Sequence, residues 1–296
     1  MASIKVLIDM KKIYVLLAVS GILSSFFLPH LALADINSNL QGYWNLDEGS
    51  GSTANDISCN ANNGSLVGGP SWVQGHIGSH ALRFDRSAMY VQVPNSASLN
   101  IRGDQITVSA WVFIPGDIDT GTQYAIVDKL SDPSSYTSPY VSYALFLLKG
   151  RDPAFLLAIA GREQIMSGSS VSLNAWHHID GTYNGFQMKL YVDGFLVEKH
   201  AQTGNISTFV TPLRIGTNTD FTRNFYGSID DVRVYNRALS SSDVTELFGF
   251  VVSTSTPPCL VSVVIGWVIA LIIIAVVIGL IYSGLKFRRK RLRRPM

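Results

Sequence analysis

Residues 106–114 read ITVSAWVFI. Successive side chains of a strand point to opposite sides. Ile106, Val108, Ala110, Val112 and Ile114 therefore share one face, with Trp111 and Phe113 on the other. Both faces are partly apolar, which suits a strand inside a layered β-structure and not a solvated edge. The neighbouring segments extend the pattern. MYVQV (89–93) alternates and stops at Pro94. KLYV (189–192) and FLVE (195–198) flank Asp193-Gly194, the dipeptide of a two-residue type I′ hairpin. ALFLL (144–148) and AFLLA (154–158) flank a longer turn, KGRDP (149–153). Many short strands separated by Gly, Asn, Asp and Pro predict an all-β fold, a two-sheet antiparallel jelly-roll sandwich. One helix closes it. In LSSSDVTELF (239–248), Ser240 is the N-cap, Asp243 supplies an acidic capping box, and Leu239 and Val244 are spaced as a hydrophobic staple.

The flanks of this domain address the membrane. Cys259 to Tyr282 is a run of 24 uncharged residues followed at once by KFRRKRLRR. About 20 apolar residues cross the hydrocarbon core, and the basic block holds its end in the cytoplasm. At the other end, Lys11 and Lys12 precede the apolar stretch 13–28, Pro29 and the Ala32-Leu33-Ala34 pattern of a signal-peptidase site. Met10 heads a better-shaped signal than Met1 does. The expected organisation is a signal peptide (1–34), a domain (35–250), a Ser/Thr/Pro linker (251–258), a transmembrane helix (259–282) and a basic tail (283–296). Two alternatives stay open: an uncleaved first helix, and a C-terminal sorting signal that is cleaved. Ala275, Gly279 and Ser283 form a small-residue ridge through which two spans could self-associate.

Charge divides with the topology. The chain carries 23 Lys+Arg and 21 Asp+Glu. Setting aside three Lys and Asp9 of the leader and seven basic residues of the tail leaves 13 basic and 20 acidic groups, a net −7 over residues 35–258. The basic pI thus belongs to the tail, which argues against nucleic acid as a partner and for cations on the exported domain. Cys59 and Cys259 are too few for a disulfide scaffold.

Five segments, in order, carry a resemblance: 42–69 (GYWNLDEGSGSTANDIS…NNGSLVGG), 75–94 (GHIGSHALRFD…MYVQVP), 106–112, 174–194 (NAWHHIDGTYNG…MKLYVDG) and 227–248 (GSIDDVRVYNRALSSSDVTELF). Together they resemble the laminin G-like, concanavalin A-like jelly-roll family. The resemblance implies two curved antiparallel sheets of six or seven strands each. It implies no single activity, since members bind sugars, proteins or calcium. Cys59 departs from the family's usual Asp-x-Ser-Gly loop.

Candidate sites follow. Calcium takes six to eight oxygens, and Asp47 and Asp231, with Asp56 as a third, are the acids expected to hold it. The strand parity places Asp231, Arg233 and Tyr235 outward, with Val232 and Val234 inward; the alternative is that Asp231 pairs with Arg233. An enzyme is not expected. The chain has no paired acids in a Glu-x-Asp-x-x-Glu pattern, no Gly-x-Ser-x-Gly elbow and no zinc-type Cys/His cluster. Of His177 and His178, one is expected to pack and one to be exposed. Sugar sites present exposed aromatics beside polar groups. Two loops fit, offering Tyr136 and Tyr140, then Phe221, Arg223, Phe225 and Tyr226. The same rings could be plugs at the sandwich ends. The expected function is recognition of a carbohydrate or protein ligand at the cell surface, the alternative an adhesive protein acting through self-association.

Overall fold

The computed structural model describes residues 36–130, 138–218 and 220–249. The leader, linker, apolar run and basic tail, with Tyr136, lie outside the described residues. Among the described residues no helix is long and apolar enough to cross a membrane.

The first sheet contains β1 (Leu40–Trp44), β4 (Ser71–Gln74), β5 (His80–Asp85), β7 (Gln105–Ile114), β12 (Ala175–Asn184), β13 (Gln187–Val192), β14 (Phe195–Ala201) and β16 (Tyr226–Tyr235). Its order is β14-β13-β12-β7-β16-β5-β4, with β1 also paired to β16. The second sheet contains β2 (Thr53–Ala54), β3 (Gly64–Val67), β6 (Tyr90–Val93), β8 (Tyr124–Leu130), β9 (Val141–Leu147), β10 (Pro153–Ile159), β11 (Arg162–Ser167) and β15 (Leu213–Ile215). Its order is β11-β10-β9-β8-β15-β6-β3-β2. Among the described residues each sheet has eight strands, more than the six or seven expected. The surplus comes from two- to four-residue strands such as β2 and β15, too short to show a period. The pairing is antiparallel, and consecutive strands far apart in sheet order make this a sandwich with crossovers between its layers.

The decisive strand behaves as its pattern requires. Ile106, Val108, Ala110, Val112 and Ile114 are fully buried between the sheets, where they meet Leu145, Leu157 and Phe155 of the second sheet's inner face. Its register with β12 sets Ala110 opposite Ile179 and Trp111 opposite His178. Trp111 is buried too, but on the outer face of the first sheet and not between the layers. Its cover is shared by the His76 ring, 4.0 Å away, and the Phe248 ring of helix α1 (Ser241–Phe248), stacked at 5.6 Å. The helix start is the expected capping box: the Ser240 side chain accepts from the Asp243 amide and the Asp243 carboxylate accepts from the Ser240 amide. Leu239 and Val244, the staple pair, are both buried.

One strand breaks its alternation. In β16 the register against β7 slips between Asp230 and Arg233, and Asp231 takes φ +49°, the left-handed region. That is the signature of a bulge, which re-aims side chains. Val232 and Val234 do face the core. Asp231, Arg233 and Tyr235, expected outward, are nevertheless buried.

Candidate ligand-binding face

The outer face of the second sheet has its own chemistry. Leu213 and Ile215 of β15 point into the core, so Arg214 points away from it. In register, Arg214 lies between Gln92 of β6 and Asp128 of β8. Tyr90 precedes on β6, on the same side. The Arg214 guanidinium sits 5.1 Å from the Tyr90 ring centre and 4.4 Å from that of Phe221, and the two rings are 5.5 Å apart. Phe221 remains 40% exposed. Stacking of this kind holds a guanidinium flat against aromatic faces. Arg223 repeats it 5.1 Å over Phe146, the ring that anchors a small apolar cluster with Ala125, Ala144 and Leu156.

The loop that delivers Phe221 and Arg223 is locally specified. Asn218 Oδ1 accepts the amides of Thr222 (3.0 Å) and Arg223 (2.9 Å), and Asp220 accepts the Thr222 hydroxyl at 2.7 Å. Asn and Asp fold a turn onto their own backbone in this way. The Arg223 carbonyl accepts the Ala125 amide, pinning the loop to β8, and the Arg214 guanidinium donates to the Asn218 carbonyl at 2.9 Å. Beneath lies Asp128, 1% exposed, with neither carboxyl oxygen hydrogen-bonded to a described residue. Burial pushes it up to about 8, against the pull of Arg223 and Arg214 and with Asp220 and Glu163 adding to the rise. Burial thus favours its protonated form, which can donate as well as accept. Tyr140 joins the same neighbourhood, since its amide donates to Glu163 and its ring is half exposed.

The structure sorts the proposed residues. Phe221, Arg223 and Tyr140 are brought to this face. Phe225 is corrected: it is fully buried between the sheets, edge-on to Phe84 and Tyr124. Tyr226 belongs to the first sheet, where its hydroxyl donates to Asp117 at 2.7 Å and Arg86 covers its ring. Tyr90, Arg214 and Asp128 were missed by sequence reasoning. Their signal was a polar residue interrupting an apolar strand, and only the pairing of β6, β15 and β8 makes them neighbours.

The acids offered for calcium are not brought together as a ligand set. Asp231 is ion-paired to Arg233 (Nε to Oδ1 2.6 Å), and its other oxygen takes the Tyr43 hydroxyl at 3.3 Å. The alternative considered for Asp231 thus holds. Asp56 accepts three amides, of Tyr43, Ser58 and Asn62. Asp47 accepts the amides of Ser79 and His80 on one oxygen and Asn45 on the other. Among the described residues no group of three or more His, Cys, Asp or Glu is placed to hold a metal. Asp230, which the sequence places beside Asp231 at the start of the last strand but which was passed over in favour of Asp231, completes the cradle of this loop. Its Oδ2 accepts the amides of His76 and Ile77, while Oδ1 is buried without a partner. Burial pushes Asp230 up to about 8, with Asp231 and Asp47 adding to the rise.

Both histidines of β12 are buried, contrary to expectation. His177 contacts Asp193 at 2.9 Å, beside the β13–β14 turn. His178 stands 3.0 Å from the Ser109 hydroxyl and 3.0 Å from Asp180, the latter without the alignment of a hydrogen bond. Ser, His and Asp in a row invite comparison with a hydrolase. Here each is at most 2% exposed under Trp111 and Phe248, so no reactant reaches the serine. The set is a buried polar layer between β-sheet and helix.

The family described as the concanavalin A-like lectin/glucanases superfamily matches residues 85–245, more than half of the chain. The protein belongs to that superfamily. No curated protein sequence matches it. Among solved structures, the binding domain of Paraclostridial mosquitocidal protein 1 is similar at a TM-score of 0.60 and 20% identity, covering 72% of this chain and 52% of that one. The ligand-binding domain of botulinum neurotoxin serotype D, solved in complex with N-acetylneuraminic acid, is similar at 0.56 and 16%, covering 72% and 51%. Domain 4 of AbnA, a GH43 extracellular arabinanase from Geobacillus stearothermophilus, solved with arabinotriose, is similar at 0.54 and 19%, covering 71% and 98%. The chain spans about half the length of the toxin domains it matches. These likenesses show the fold.

Proposed function

We propose that this superfamily member is a carbohydrate-binding protein of the cell surface, and that the outer face of its second sheet is the binding site. One observation carries the reading: Phe221 stays 40% exposed while Arg214 lies over it at 4.4 Å, with Tyr90 alongside. An exposed ring suits the apolar face of a pyranose, and guanidinium N–H groups suit its hydroxyls. Two of the similar structures were solved with saccharides, which supports the class of ligand. A glycan array probed with the purified protein tests it. Saccharide binding is the expected result. Silence across the array, with capture of a protein partner or of a second copy, would favour the adhesive reading.

The same proposal places the domain outside a membrane, anchored by residues 259–282 with the basic tail inside. Protease added to intact cells should digest residues 35–250 and spare the tail from Lys286 to Arg294. Digestion of the tail from outside would overturn this topology.

Calcium support of the fold is a second proposal, moved from Asp231 to Asp230 because Arg233 already neutralises the former. The buried, unpartnered Oδ1 of Asp230, within electrostatic reach of Asp47, is the observation in its favour. Bound to the folded state alone, an ion at a hundredfold excess over Kd adds about 2.7 kcal/mol. Chelation should lower the melting temperature, calcium should restore it, and Asp230→Asn should blunt the response. Identical melting in chelator and calcium would remove calcium from the account.

A further inference from the structure

The tip of the β13–β14 hairpin is apolar where an edge should be polar. Phe195 is 74% exposed and Leu196 46%, and β14 is the terminal strand of its sheet. Exposed apolar edge strands are liabilities that proteins normally blunt. Three further observations locate this one. First, the turn Asp193-Gly194, with φ of +52° and +79°, lies against α1: a Cβ on Gly194 would stand 3.2 Å from the Phe248 ring. Second, α1 ends at Phe248, and the apolar run begins at Cys259. The ten residues between span at most about 35 Å when fully extended, so a run seated in a bilayer would tether this tip near its surface. Third, Lys189 and Lys199 are directly opposed across β13 and β14, and neither forms an ion pair with a described residue. Opposed like charges destabilise a sheet, and anionic headgroups would relieve them.

We infer that the hairpin tip, Phe195 and Leu196 with Lys199 behind them, docks on the lipid surface and holds the domain against the bilayer. Lys199 and Phe195 face Lys189 and Val192 of β13, three residues or about 10 Å apart along that strand, because β14 bulges between them. When the tip lies ~5–10 Å into the headgroup–acyl boundary, the lysines are level with phosphates. The inference rests on the membrane-anchored reading and not on the sugar site.

The test uses the full chain in nanodiscs of phosphatidylcholine and phosphatidylglycerol, with Cys59→Ser and Cys259→Ser to clear native thiols. A fluorophore is attached at Phe195→Cys or, as the comparison, at Phe186→Cys. Phe186 is 73% exposed but sits in the β12–β13 turn, at the other end of β13. An acyl-chain quencher should strongly quench the label at 195, leave 186 unquenched, and lose its effect at 195 when Lys189 and Lys199 are both changed to Gln in high salt. Equal, weak quenching at both positions in a chain that resists carbonate extraction overturns the docking while leaving the anchor standing. Release of the chain by carbonate overturns the anchor and the docking with it. A signal at 195 that needs no lipid and grows with protein concentration in detergent assigns the tip to a second copy instead.

Discussion

At the scale of single residues, the buried charges decide most. Asp128 and Arg233–Asp231 occupy opposite outer faces and solve burial differently. Arg233 satisfies Asp231 with a 2.6 Å contact and shares the Tyr43 hydroxyl at 2.8 Å. Asp128 has arginines nearby but no hydrogen bond to them, and burial favours its protonated form. The consequence for stability has a definite sign. Its folded value, about 8, lies above the ordinary 3.8. Between those values the folded chain holds a proton that the unfolded chain has lost, so stability falls as pH rises through that window. Asp128→Asn cannot lose the proton. Its melting temperature should therefore decline less than that of the unsubstituted protein between about pH 5 and pH 8. Parallel profiles would mean that Asp128 is ionised in the fold. The residues on this face also mark where sequence reading stops. Phe221 and Arg223 were legible because they sit together in a polar, aromatic loop. Phe225, four residues along, looked identical in composition, and only the T-shaped packing on Phe84 and Tyr124 separates a core ring from an exposed one.

At the scale of elements, regular periods were legible and interruptions were not. The alternation of 106–114, the Asp-Gly hairpin and the capping box at Ser240 each depend on residues within a few positions of one another. The bulge at Asp231 lies where β16 leaves its pairing with β5 (226–229) and takes up pairing with β1 (232–235), while its register against β7 slips between Asp230 and Arg233. Parity therefore predicted Val232 and Val234 correctly while missing the burial of Asp231. Trp111 is a related case. Its strand face was read correctly, but its cover comes from rings distant in sequence, His76 before it and Phe248 of α1 more than a hundred residues later. That assignment can be checked by comparing two substitutions. Trp111→Ala should cost about 3–5 kcal/mol, the range for a buried aromatic. Ser240→Ala, which removes only the cap of the covering helix, should cost about 1 kcal/mol. Chemical denaturation measures both. A loss below about 1 kcal/mol at Trp111 would mean that these rings do not seal that face.

At the scale of the whole molecule, the two outer faces of the sandwich have diverged. The first carries a buried layer of Trp111, His178, Ser109 and Asp180, covered at Trp111 by the His76 and Phe248 rings. The second keeps Phe221 and Tyr140 in contact with solvent and sets Arg214 and Arg223 on aromatic faces. The buried face contributes to stability, and we propose that the exposed face serves recognition. The most direct test of that division is calorimetric titration of the protein with the best saccharide from the array, repeated on Arg214→Ala and Phe221→Ala. The account predicts that each substitution weakens binding about tenfold, or 1.4 kcal/mol, with the melting temperature little changed. Undiminished saccharide affinity in both variants would place the binding site elsewhere on the sandwich and contradict the account.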